Sequence, residues 1–150
     1  IIKVLYELNF KPFGYSFNFE TRAQKTYIFD RVRKKYIQLT PEEWVRQHIV
    51  SFLIEHKQLG KGLISIEKGT SFNGLKKRYD LKVYDNSLNL ILLVECKAPS
   101  IKLTEETLIQ SLTYAQSEKP RYIMLSNGLQ HIYYDVVNKQ FLEDLAFSGI

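Results

Sequence analysis

The 150-residue chain has a single cysteine, Cys96, which cannot form an internal disulfide. That excludes a disulfide-stapled scaffold and makes a reducing, cytoplasmic setting the expectation. No apolar run approaches the roughly 18 to 20 residues of a membrane-spanning helix, and Ile1-Ile2-Lys3-Val4 lacks the charged-then-apolar layout of a signal peptide. Repeats and low-complexity stretches are missing, and 7 Gly with 4 Pro exclude collagen-like or long disordered composition. His48, His56 and His131 show no zinc-ligand spacing to Cys96. Gly69-Thr70-Ser71-Phe72-Asn73-Gly74-Leu75-Lys76 imitates a phosphate-binding loop, but Leu75 stands where lysine is required and no Ser or Thr follows Lys76. Nucleotide binding is therefore not expected.

What is present suits one soluble domain. Residues of the AVILMFWYC set make up 45% of the chain, enough for a single core without a metal or disulfide staple. Acids are the minority charge: 16 Asp+Glu against 21 Lys+Arg leaves +5 and a pI near 9.2. An anionic partner such as nucleic acid is favoured by that excess, though not required by it.

Residues 1–39 read as an N-terminal β-hairpin extension, and 40–150 as the core of one compact domain. Tyr15, Phe17 and Phe19 alternate with polar residues as in a half-buried strand. A turn at Thr21 to Gln24 and the run Thr26-Tyr27-Ile28-Phe29 complete the hairpin. Arg31-Val32-Arg33-Lys34-Lys35 reads either as a solvated strand edge or as a phosphate-contacting arm. Thr40-Pro41-Glu42-Glu43 is a helix start, with Thr40 and Glu43 as a capping box. Val45, Ile49, Phe52 and Leu53 carry the helix to about His56. Strands are expected over 63–67, 78–84 and 88–96, the last almost wholly apolar as in a central strand. A helix is expected over 104–116, then strands over 121–126 and 129–137 joined at Asn127-Gly128, a strong hairpin signal. The fold class is α/β, a mixed sheet flanked by helices with an N-terminal hairpin.

The chemistry converges on Asp80, Glu95 and Lys97. If residue 85 pairs with 90 across a four-residue loop, Asp80 lies directly opposite Glu95, and Lys97 shares that face. Two carboxylates at the end of a greasy strand repel unless a cation lies between them. A divalent metal with Lys97 alongside resolves the repulsion; a structural ion pair between Glu95 and Lys97 is the other reading. Acid-x-Lys recurs in Glu55-His56-Lys57 and Asp80-Leu81-Lys82, so the spacing alone is not specific. Gln110 and Tyr114 share a helix face. Glu42 opens the first helix on the side of Ile49 and Leu53, where an acid needs a partner, and is favoured modestly over Glu43 as a supporting ligand. Cys96 points to the opposite face from Glu95, into the core.

Asp80, Glu95-Cys96-Lys97 and Gln110-Ser111-Leu112-Thr113-Tyr114 resemble the PD-(D/E)xK nuclease superfamily, in the branch with a Q-x-x-x-Y motif. More closely, Thr40-Pro41-Glu42-Glu43-Trp44-Val45-Arg46-Gln47, Lys77-Arg78-Tyr79-Asp80, Val94-Glu95-Cys96-Lys97-Ala98-Pro99 and Ser126-Asn127-Gly128 resemble the N-terminal nuclease domain of type I restriction enzyme R subunits, in its stand-alone form. The likeness spans residues 15 to 145, and Tyr79 replaces the proline that names the superfamily. The resemblance implies a restriction-endonuclease-like core that hydrolyses DNA with Mg²⁺, or Mn²⁺ in its place. It implies Asp80, Glu95, the Cys96 carbonyl and Glu42 as metal ligands or supports, and Lys97 beside the attacking water. Gln110 and Tyr114 would position the site, and Lys76, Lys77 and Arg78 would grip phosphates, unless they are a solvated strand start. DNA is the implied partner, with other restriction–modification subunits as further candidates. The R-subunit translocase motor has no counterpart in these residues, so ATP-driven restriction is not expected of them. A nuclease-like fold kept only for binding DNA or a partner is the alternative.

Overall fold

The computed structural model describes residues 7–10, 14–67, 79–145 and 147. Three antiparallel strands come first: β1 (Phe19–Arg22), β2 (Lys25–Asp30) and β3 (Lys35–Gln38), in the order β1-β2-β3. The expected hairpin is thus a three-stranded sheet, and its first strand starts at Phe19 rather than Tyr15. The reason is the turn. Ala23 and Gln24 both have positive φ, 46° and 65°, between the paired Arg22 and Lys25. Two left-handed residues match the twist of the flanking strands, as in a type I′ hairpin, and fix the register without the usual Asn-Gly. The basic block divides between a turn and the start of edge strand β3, which opens at Lys35. Residues 31–34 form a tight turn built on buried Asp30, whose Oδ1 accepts the N–H groups of Val32 and Arg33, both at 2.8 Å.

Helix α1 (Pro41–Ser51) follows, extended by a π-helical turn over Phe52–His56. The Thr40 side chain accepts from the Glu43 N–H as an N-cap should, at 3.1 Å. The Glu43 carboxylate does not return to Thr40 but turns into the protein, to Arg33 and Arg46, so only half of the capping box forms. Val45, Ile49, Val50 and Leu53 are fully buried on the sheet-facing side; burying each such side chain contributes roughly 1.5–3 kcal/mol.

The main sheet has six strands in sequence order: β4 (Ile64–Ile66), β5 (Leu81–Tyr84), β6 (Leu90–Cys96), β7 (Tyr122–Ser126), β8 (His131–Asp135) and β9 (Gln140–Leu142). Only β6 and β7 pair in parallel, and helix α2 (Glu105–Glu118) makes their crossover. The sheet is mixed and flanked by helices, consistent with a restriction-endonuclease-like core. α1 covers one face, against Leu81, Val83, Leu92, Val94, Cys96 and Met124. On the other face Leu108 and Ala115 of α2 pack on Ile123 and Leu125. Strand β9, short and mostly exposed, has no clear sequence signal. The Asn127-Gly128 connection is a four-residue loop, with Ser126 paired to His131, so β8 begins two residues later than expected. Asn127 Oδ1 accepts from the N–H groups of Leu129 and Gln130, and Gly128 has φ +85°. Among the described residues no helix is long and apolar enough to cross a membrane.

Candidate active site

The strands that carry Asp80 and Glu95 pair with Leu81 opposite Val94, so residue numbers sum to 175 and Asp80 falls opposite Glu95. The Asp80 N–H continues the ladder to the Val94 carbonyl at 2.9 Å. The register expected from the sequence holds at this end, but its premise fails at the other. Tyr84 pairs with Leu90, not Asp85, and a bulge between Val83 and Tyr84 absorbs the extra residue on β6. Asp85 caps the loop instead, accepting from the N–H groups of Ser87 and Asn89 at 2.9 Å.

The strand alternation does not reach back to Tyr79. The chain bends at Asp80, and the two neighbours go to different helices. Tyr79, expected beside Leu81 and Val83, is buried and donates its hydroxyl to the Ser111 carbonyl of α2 at 3.0 Å, with its ring edge-on to Tyr114. Asp80 turns toward α1. Its Oδ1 accepts from an Arg46 Nη at 2.7 Å, and its Oδ2 accepts from the Cys96 N–H at 2.6 Å. The Asp80 carboxylate is therefore tied to both α1 and the end of β6. It does not share the face of Glu95 and Lys97 that the strand pattern predicts, because the bend at Asp80 turns it the other way.

Glu95 faces the α2 side, where its Oε1 lies 3.2 Å from Lys97 Nζ. Both stay partly exposed, Glu95 at 20% and Lys97 at 34% of the side chain. Lys97 is fixed by its backbone, since its N–H pairs with the Ser126 carbonyl at 2.8 Å. Cys96 between them points into the core, as the alternation of β6 requires. Burial pushes its thiol well above the ordinary value, and the nearby carboxylates of Asp80, Glu42 and Glu95 add to that while Arg46 opposes it. A thiol held protonated in this way is inert. Gln110 is exposed and its Nε2 donates weakly to the Tyr114 hydroxyl at 3.5 Å; through Tyr114 the pair adjoins Tyr79, next to Asp80. Lys76, Lys77 and Arg78 lie outside the described residues.

Arg46 was given no role by the sequence reading, yet it organises the site. Its guanidinium meets Glu42 at 3.0 Å, Glu43 at 2.9 Å and Asp80 at 2.7 Å. Burial opposes the charge, but Glu43 and Asp80 outweigh it and hold the guanidinium above its ordinary pKa. Behind Arg46 the polar network continues. Glu43 accepts from Arg33 at 2.7 Å and Gln47 at 3.3 Å, and Asp30 accepts from Arg33 at 2.6 Å and Gln47 at 2.9 Å. Glu42, favoured over Glu43, is the more exposed of the two, at 43% against 4% of the side chain. The available signal was the spacing of Glu43, Arg46 and Gln47, three polar residues on one helical face that also carries Val50.

Asp80, Glu95 and the Cys96 carbonyl offer oxygen donors only, the chemistry a hard divalent cation takes. Among the described residues no three His, Cys, Asp or Glu side chains are gathered to hold a metal ion. The donor set fits such a cation in kind, and Arg46 and Lys97 supply the positive charge that the two carboxylates face here. A family model described as the type I restriction enzyme R protein N terminus matches residues 41–146. The chain belongs to that family. Neither a curated protein nor a solved structure matches it. Within this R-protein N-terminal domain the matched span holds Glu42, Asp80, Glu95, Lys97, Gln110 and Tyr114, and leaves the three-stranded sheet outside it. A relation to restriction systems follows from that membership.

Proposed function

We propose that the domain is a metal-dependent DNA endonuclease of the PD-(D/E)xK kind. The observation that supports this best is the backbone opposition of Asp80 and Glu95 at one end of β5 and β6, with Asp80 Oδ2 on the Cys96 N–H and Lys97 Nζ on the Glu95 carboxylate. Asp80 and Glu95 would hold Mg²⁺ or Mn²⁺ with the Cys96 carbonyl, and Glu42 would support it; when bound, such an ion offsets phosphate charge and acidifies water. Lys97 orients the attacking water and donates to a non-bridging phosphate oxygen as negative charge builds there. The water oxygen bonds to phosphorus and one P–O ester bond breaks. The water gives up a proton, and the leaving sugar oxygen takes one up. Gln110 and Tyr114 position the DNA backbone, and Lys76, Lys77 and Arg78 grip its phosphates. The reaction takes place in the cytoplasm, with DNA and other restriction–modification subunits as partners.

A binding module with little cleavage of its own is the second reading, and one observation favours it: Asp80 and Glu95 already face Arg46 and Lys97. Supercoiled plasmid with Mg²⁺ or Mn²⁺ separates the two. Nicking by the wild type that disappears in Asp80→Ala and Lys97→Ala supports the nuclease. Nicking that survives both substitutions sinks the site assignment, and salt-sensitive DNA binding without nicking supports the module.

A further inference from the structure

We infer that the outer face of the β1-β2-β3 sheet is a binding platform for single-stranded DNA. The inference rests on the DNA reading above but not on cleavage. Residues 19–38 carry six cations (Arg22, Lys25, Arg31, Arg33, Lys34, Lys35) against two acids (Glu20, Asp30), so this small sheet holds +4 of the chain's +5. Its two faces differ sharply. Ile28 and Asp30 point inward and are fully buried. The register puts Tyr27, Phe29 and Tyr36 on the opposite face, with Arg22 and Lys25 beside them. Phe29 and Tyr36 are cross-strand partners with ring centroids 5.3 Å apart, and the Arg22 guanidinium lies 5.4 Å from the Tyr27 ring and 5.8 Å from that of Tyr36.

Three rings on an outward sheet face are costly to leave wet, and the charges around them select the occupant. Lys25 stands at one end of the face and Lys34 at the turn at the other, both exposed; Lys35 pairs with Asp30 and belongs to the inner face. Among the described residues Lys25 and Lys34 make no ion pair, whereas Arg31 and Arg33 are engaged by Glu55 and by Asp30 and Glu43. Cations at both ends of an aromatic strip match a strand whose phosphates run past the lysines while its bases stack on the rings. From Lys25 to Phe29 the strip is about 13 Å long, room for a few bases. A duplex hides its bases and cannot use the rings. Glu20 is the one acid on this face, and its carboxylate pairs with Arg22.

The test is fluorescence anisotropy of a labelled dT20 oligonucleotide in EDTA, where no metal-dependent cleavage intrudes. Expected results are wild-type binding that weakens steeply with salt, and a loss of about tenfold or more in Tyr36→Leu, which keeps apolar volume but removes the ring. The Lys25→Ala/Lys34→Ala double variant should lower the slope of log affinity against log salt by about 1.4, and Glu20→Gln should bind more tightly. Thermal melts check that each variant is folded. Wild-type affinity in both the Tyr36 and the double-lysine variants overturns the inference, as does preference for a duplex of equal length. The same proteins in the plasmid assay keep the two ideas apart. Loss of dT20 binding with nicking intact refers to this surface alone, and intact dT20 binding without nicking refutes the nuclease alone.

Discussion

Replacing Arg46 by methionine removes the charge while keeping most of the buried stem. Glu43 and Asp80, with side chains only 4% and 3% exposed, then lose the guanidinium that lies 2.9 Å and 2.7 Å from them. Breaking a buried pair by deleting one partner costs about 3–5 kcal/mol, because the other charge stays buried and uncompensated. Glu43 keeps Arg33 and Gln47, and Asp80 keeps the Cys96 N–H, so the lower half of that range is expected. In a chain of this size that lowers Tm by roughly 6–16 °C. Differential scanning fluorimetry measures it, and repeating the melts with Mg²⁺ adds a second readout. On the proposed function a divalent ion at Asp80 would replace the missing charge, so Mg²⁺ is expected to raise the Tm of Arg46→Met more than that of the wild type. An Arg46→Met protein that melts within 2 °C of wild type would refute the claim that Arg46 carries the site's charge balance.

Two further predictions concern stability. Burial lowers the pKa of both His48 and His131 below the ordinary 6.5, outweighing the backbone carbonyls of Trp44 and Asn9 that accept from their rings. The fold prefers neutral imidazole while the unfolded chain takes a proton, so this stability is complete above pH 6.5 and lost as pH falls through the folded values. Urea midpoints should climb between pH 5 and 7, and His48→Phe, which suits a ring packed on Trp44 and Phe17, should flatten part of the climb; a level wild-type profile contradicts it. Gly128→Ala places a Cβ 2.7 Å from Leu8 Cδ2 at φ +85°. A loss of about 1–3 kcal/mol is expected by chemical denaturation, and a neutral result would show that Leu8 and the loop yield freely.

The legible parts of this fold were those in which local chemistry and tertiary packing agree. Thr40 and Pro41 mark the start of α1 because capping is a property of adjacent residues, and the apolar run of β6 shows that it is covered on both faces. Asp80 falls opposite Glu95 because the backbone register holds at that end of the hairpin, even with a bulge at Val83 and Tyr84 that no residue signals. β3 escaped notice because Asp30 gathers the following cations into a turn, a role visible only once its burial is known. Arg46 was missed for a related reason. Its partner Asp80 lies 34 residues away, brought near by the packing of α1 on β5 and by a bend that reverses the expected direction of the Asp80 side chain.

The most direct test of the central claim uses two lysines, each two residues after an acid. Lys97 Nζ sits on Glu95 at the candidate site, and Lys82 Nζ reaches Glu118 of α2 at 3.4 Å, a partly exposed structural pair. Cleavage rates of supercoiled DNA in Mg²⁺ are measured for Lys97→Ala and Lys82→Ala beside the wild type. If Lys97 serves the reaction, its loss slows cleavage by about a hundredfold or more, while Lys82→Ala cleaves within a few-fold of wild type. Equal rates in the two variants would contradict the account.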